Sequence, residues 1–169
     1  DEIILKPSIV KDEKNYQDIA FQKRTALHYT LYQAGLKELF NYAQKRNSLI
    51  IPLTTPINLK LAPKKVCYGA ATGDASEQIQ QLLELIENED FKNAFNLGKE
   101  LVLTNPYHSK INYLYSRVLF KLNKYDEALK YGEFAKVYDC ANYGANPVYN
   151  SILRSVATEA RYEFLDFHK

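Results

Sequence analysis

Lys110, Tyr113, Arg117 and Lys121 stand three, four and four positions apart, an interval set that puts them on one stripe of a helix. Three cations around a tyrosine suit an acidic or carboxylate-bearing peptide, because ammonium and guanidinium groups pair with carboxylates and rest on aromatic faces. A solvated basic helix face has the same spacing. Groups for covalent or metal chemistry are thinner. His28, His108 and His168 are scattered, with no cysteine or carboxylate at ligand spacing. No Gly-x-Ser-x-Gly, P-loop or dinucleotide fingerprint occurs, and the glycines at Gly69 and Gly73 lack the following lysine. Glu84, Glu87, Glu89 and Asp90 cluster at the end of an expected helix and read as a solvated turn. These residues imply no cofactor, no metal and no enzyme.

The elements that must position the stripe come from a chain of ordinary composition. Of its 169 residues 46% are apolar and 25% charged, enough to bury a core without disulfides or metals. No apolar run reaches the length of a membrane span. Residues 1–72 carry 11 Lys/Arg against 6 Asp/Glu, and residues 73–169 carry 11 against 14. This asymmetry suggests two parts that dock on each other or face different partners. No run of Lys/Arg exceeds two residues, so nucleic acid is an unfavoured alternative partner, reached through the basic first part. Ala62 to Asp74, with one proline and two glycines, reads as the boundary. Methionine is absent, initiator included, which suggests a processed form or a piece of a longer chain. Compartment stays open between cytoplasmic, the favoured reading, and secreted or periplasmic. Cys67 and Cys140 lie far apart in no metal or redox spacing; two free thiols are the simpler reading, and a disulfide requires the fold to join them.

In the first part, Ile3, Leu5 and Ile9 suggest a short extended lead-in. From Tyr16 to Arg46 there is no proline, and two apolar faces run at helical spacing. One holds Ala20, Leu27, Leu31 and Ala34; beside it lie Tyr32, Leu36, Leu39, Phe40 and Ala43. This is one long helix, or two meeting at Gly35. Next, Leu49, Ile51, Leu53, Ile57, Leu59 and Leu61 occupy odd positions while Pro52, Thr54, Pro56, Asn58 and Lys60 occupy even ones. Period two predicts an extended arm with its odd edge buried, and the prolines keep it out of a sheet.

The second part repeats itself. Phe91, Ala94, Gly98 and Leu101 are matched one period later by Tyr125, Ala128, Gly132 and Ala135, at the same interval in each pair. That period is about 34 residues, the length of a stacked helix–turn–helix unit. An aromatic followed by small residues every three or four positions lets a second helix approach the backbone closely. Asp74 or Ser76 with Glu77 signals the cap of a first helix, Asn105-Pro106 stops the second, and His108-Ser109 opens a third with a serine cap. Asn146-Pro147 opens a last helix, expected to run to about Phe167. The repeated pattern resembles the tetratricopeptide repeat family over residues 75–108 and 109–142, with Leu82, Leu101 and Cys140 departing from the family motif.

The resemblance implies an all-α, right-handed stack of two helix pairs over residues 73–169, closed by a C-terminal capping helix. Residues 1–72 supply the long helix and the proline-containing arm against it. Phe91, Ala94, Gly98, Tyr125, Ala128 and Gly132 would be its packing positions. The first helix of each pair would line a groove, presenting Lys110, Tyr113, Arg117 and Lys121 from the second repeat and apolar Ile79 and Leu83 from the first. Because Ile79 and Leu83 are apolar, a carboxylate clamp of the chaperone-tail kind is not expected. The arm of residues 49–61 is expected along that apolar groove. The function expected is a non-catalytic scaffold or adaptor that binds a protein or peptide; a nucleic-acid-associated protein or an enzyme accessory subunit is the alternative.

Overall fold

The computed structural model describes residues 16–66, 74–141 and 146–167; the extended lead-in expected at Ile3–Ile9, the boundary glycines and Cys67 lie outside these. Among the described residues the fold is all-α: six helices and two isolated β-bridges. The chain divides into two compact units, residues 58–144 and residues 1–57 with 145–169. The last helix therefore belongs with the first, where the sequence pattern suggested a boundary near residue 72 and a cap on the repeats.

In the 58–144 unit, α2 (Asp74–Glu87) packs on α3 (Phe91–Thr104), which packs on α4 (Ser109–Lys121), which packs on α5 (Tyr125–Val137). Helices α3 and α5 start one period apart, at Phe91 and Tyr125, as the repeated pattern requires. Their small residues Ala94, Gly98, Ala128 and Gly132 are all buried. Asp90 caps α3 by accepting from the Asn93 backbone N–H at 3.2 Å, so part of the acidic cluster is a helix cap. His108 caps α4: its Nδ1 accepts from the Ile111 N–H at 3.3 Å. The expected cap, Ser109, is instead the first helical residue, and its buried Oγ has no partner among the described residues. Asn112 closes the α3–α4 turn by donating to the carbonyls of Pro106 and His108.

Rings knit the layer together. Tyr115 packs against Phe95 and edge-on to Tyr131, and Tyr107 lies edge-on to Tyr138. Such pairs each contribute about 0.5–1.5 kcal/mol beyond their burial. Burial pushes the Tyr115 and Tyr138 hydroxyls up to about 12, so both stay neutral. Cys140, which follows α5, is disulfide-bonded, which corrects the free-thiol reading.

In the other unit, α1 (Tyr16–Lys45) is one uninterrupted helix through Gly35 and packs on α6 (Pro147–Glu159). It buries Tyr29, Phe40 and Ala43, while Leu27 and Leu31 of the other apolar face stay exposed. The α6 ring Tyr149 meets Tyr29 and Tyr32 edge-on, and Phe40 stacks on Tyr162. Asn146 caps α6 as expected, accepting from Val148 at 2.8 Å. The helix stops at Glu159, short of Phe167, because Arg161 turns left-handed at φ 60°.

The chain beyond it runs back along the arm, with Thr54 N–H donating to Leu165 O and Leu165 N–H to Pro52 O. Here the arm reverses its expected faces. Leu49, Ile51 and Leu53 are 84%, 58% and 52% exposed, whereas Pro52 and Thr54 are buried. Polar bonding outweighs hydrophobic patterning at this point. Thr54 donates to Asp166 at 2.7 Å and accepts from the Phe167 N–H, Arg154 grips Asp166 through two nitrogens, and Asn150 both accepts from and donates to the Thr55 backbone. Charge-assisted bonds of this kind are the stronger class.

The glycines separate packing from propensity. A Cβ at Gly98 would lie 2.6 Å from the Tyr115 ring, whereas one at Gly35 would meet nothing within 4 Å. Gly98→Ala is expected to lower stability by about 1–3 kcal/mol through forced displacement of the ring. Gly35→Ala is expected to raise it by up to about 1 kcal/mol, the helix-propensity difference. Thermal unfolding of the two variants should shift in opposite directions; equal shifts would contradict this account.

Candidate functional site

Helix α4 carries the sequence-derived stripe, and its surroundings sort the four residues. Lys110, Arg117 and Lys121 are exposed, with no ion pair among the described residues. The Arg117 guanidinium lies 5.8 Å from the centre of the Tyr113 ring, and the Lys121 ammonium 5.8 Å from that of Phe91. At exposed positions contacts of this kind are worth about 0.5–1 kcal/mol. Tyr113 itself is only 8% exposed and is not a free groove residue, since its hydroxyl donates to Lys60 O at 2.9 Å.

Of the two apolar groove residues, Ile79 is buried and belongs to the core shared by α2, α3, α4 and α5, and Leu83 is half-buried against that core. Ile79 therefore packs the repeats together and does not line an open surface. Among the packing positions, Phe91 is half-buried, and Tyr125 is exposed, its ring against Phe120 and its hydroxyl donating to Asn123. Tyr125 thus holds the α4–α5 turn and does not fill a helix interface.

The segment 58–66 lies over α4 and α5 as a strap that turns at Leu59–Lys60, where the Leu61 N–H donates to Asn58 O at 3.4 Å, and not along the first repeat as expected of the 49–61 arm. Leu59 sits on Gly132, where an added Cβ would come within 3.3 Å of it. Lys136 Nζ donates to Leu61 O at 2.8 Å, and Asp139 accepts from the Lys64 and Lys65 N–H groups at 2.9 and 3.1 Å. Val66 pairs with Asp139 in an antiparallel bridge, and Cys140 Sγ lies 3.5 Å from Lys65 O. Each hydrogen bond is worth a net ~1 kcal/mol. Burial draws the Lys136 ammonium below its ordinary 10.5 against the opposing pull of Asp139.

Lys136 and Asp139 escaped the sequence reading. Their signal was in the repeat register: Lys136 stands one period after buried Val102, and a cation at an apolar packing position needs an acceptor nearby.

Elsewhere, a cleft of about 380 Å³ between α1 and α6 is lined by Lys37, Phe40, Gln44 and Glu159, and its Lys37 and Glu159 pair with each other at 2.8 Å. Among the described residues no three His, Cys, Asp or Glu side chains gather as a metal site, and no helix is long and apolar enough to cross a membrane. Comparison with models of known protein families, with curated proteins and with solved structures finds no match to this chain.

The helix bearing the stripe starts at a titratable cap. Burial, joined by the charge of Lys110, holds the His108 imidazole below its ordinary 6.5. The unfolded chain takes up this proton near 6.5 and the folded protein only at lower pH. The stabilisation is therefore complete above 6.5 and is lost as pH falls below it toward the folded value. His108→Asn keeps a cap acceptor without the titration. Melting temperature from pH 7.5 to 5 should fall less steeply in this variant than in the unaltered protein, and parallel curves would show that other groups set the slope.

Proposed function

We propose that this protein is a non-catalytic interaction module of tetratricopeptide-repeat type, which binds an acidic segment of a partner protein along the exposed face of α4 and serves as a scaffold or adaptor. The observation that carries the reading is the stripe of Lys110, Arg117 and Lys121: three cations on one helix face without a carboxylate partner among the described residues. Lys37, Lys124 and Arg154 pair with Glu159, Glu127 and Asp166; what sets the stripe apart is that its three cations share one helix face. Arg117 offers a fork that matches a carboxylate in two bonds, backed by the Tyr113 ring. The one-period spacing of α3 and α5 and the buried small residues at corresponding positions support the repeat reading.

Magnitudes limit what the stripe does alone. Exposed ion pairs contribute about 0.2–1 kcal/mol each, so three supply at most about 3 kcal/mol. Micromolar affinity needs about 8 kcal/mol. A partner segment must therefore also bring apolar contacts, and half-buried Leu83, which precedes Arg117 by one period, is placed at the corresponding position of α2.

The test is fluorescence anisotropy with a labelled peptide of alternating Glu and Leu. Arg117→Glu with Lys121→Glu should weaken binding at least tenfold, and raising NaCl from 50 to 300 mM should weaken the unaltered protein in the same sense. Binding indifferent to both changes would remove the α4 face as the site.

A further inference from the structure

Gly98 and Gly132 occupy matching positions one period apart, yet different elements fill the space above them. Over Gly98 lies Tyr115, from the helix that opens the next pair; over Gly132 lies Leu59, from the strap. The strap thus stands where a further helix pair would begin, and covers the end of the stack with non-helical chain.

It is held by an unusual set of contacts. Tyr113 and Lys136 donate to the carbonyls of Lys60 and Leu61, and Asp139 accepts from the amides of Lys64 and Lys65. All four bonds reach main-chain atoms. The side chains of Lys60, Leu61, Lys64 and Lys65 are exposed, and only Leu59, Pro63 and Val66 are half-buried. A surface that grips main-chain atoms on both sides of a turn and asks for one apolar side chain is built to recognise peptides with little regard for their sequence. A segment with so little buried side chain also lies at the low end of local stability.

We propose that the face of α4 and α5 formed by Tyr113, Gly132, Lys136 and Asp139 is a second binding surface, for a peptide segment that turns to bring an apolar residue to the Gly132 notch. The strap is its resident occupant, and a partner's segment of the same pattern replaces it. This surface adjoins the cationic stripe at Tyr113, whose ring backs Arg117 while its hydroxyl holds the strap, but it uses none of the stripe's cations.

The probe is a fluorescein-labelled peptide of residues 57–66 (Ile-Asn-Leu-Lys-Leu-Ala-Pro-Lys-Lys-Val), titrated into the full chain with the Cys140 disulfide reduced. Leu59→Asp, which empties the notch, should bind this peptide at least tenfold more tightly than the unaltered protein. Adding Gly132→Leu should abolish the gain, and Arg117→Glu with Lys121→Glu should leave it unchanged. Equal affinity for the unaltered protein and a Leu59→Asp variant of unchanged helical circular dichroism would overturn the proposal, as would a gain that survives Gly132→Leu. Hydrogen exchange on the unaltered, reduced protein provides a measurement free of substitutions. Millimolar peptide should speed exchange of the Lys64 and Lys65 amides at least tenfold, and an unchanged rate would equally refute displacement.

Discussion

The ring of Tyr115 lies on the bare backbone of Gly98, and the 58–144 unit is organised around that contact. From this one position the ring reaches Phe95 on α3 and Tyr131 on α5, so two helices converge on a residue of α4. A side chain at Gly98 would push α4 outward and separate these neighbours together. Because α4 carries Lys110, Arg117 and Lys121 outward and Tyr113 toward the strap, the proposed binding surfaces inherit their placement from this close approach.

The other unit solves a different problem. Its arm has apolar residues at alternate positions, and simple burial would turn them inward. Thr54, Asn150, Arg154 and Asp166 instead satisfy one another and the backbone, and carry Pro52 and Thr54 into the interior. A buried hydroxyl or amide left without partners costs more than a leucine loses by partial exposure, so the polar network decides the orientation. Leu49, Ile51 and Leu53 are left facing outward.

Several features were legible in the chain because they depend on local chemistry. Helix between Tyr16 and Lys45, with one helix or two meeting at Gly35 left open, the Asn146 cap with Pro147 behind it, and the periodic recurrence of small residues follow from backbone propensity and near-neighbour packing. The stripe on α4 was equally visible, since helical spacing alone puts Lys110, Arg117 and Lys121 together. The buried state of Tyr113 and Ile79 was not, because a helix face shows only what lies on it and never what covers it.

The sequence by itself determined an all-helical chain, the repeat register and a cationic helix face, since each rests on residues within a few turns of one another. Tertiary structure alone decided that α6 joins α1, that Cys140 is bridged, and that Leu59 fills the notch at Gly132. These outcomes pair residues many tens of positions apart, such as Leu61 and Lys64 of the strap with Lys136 and Asp139 on and after α5. Period and composition are blind to such pairings, because the gain comes from matching a donor, an acceptor or a cavity that another part of the chain supplies.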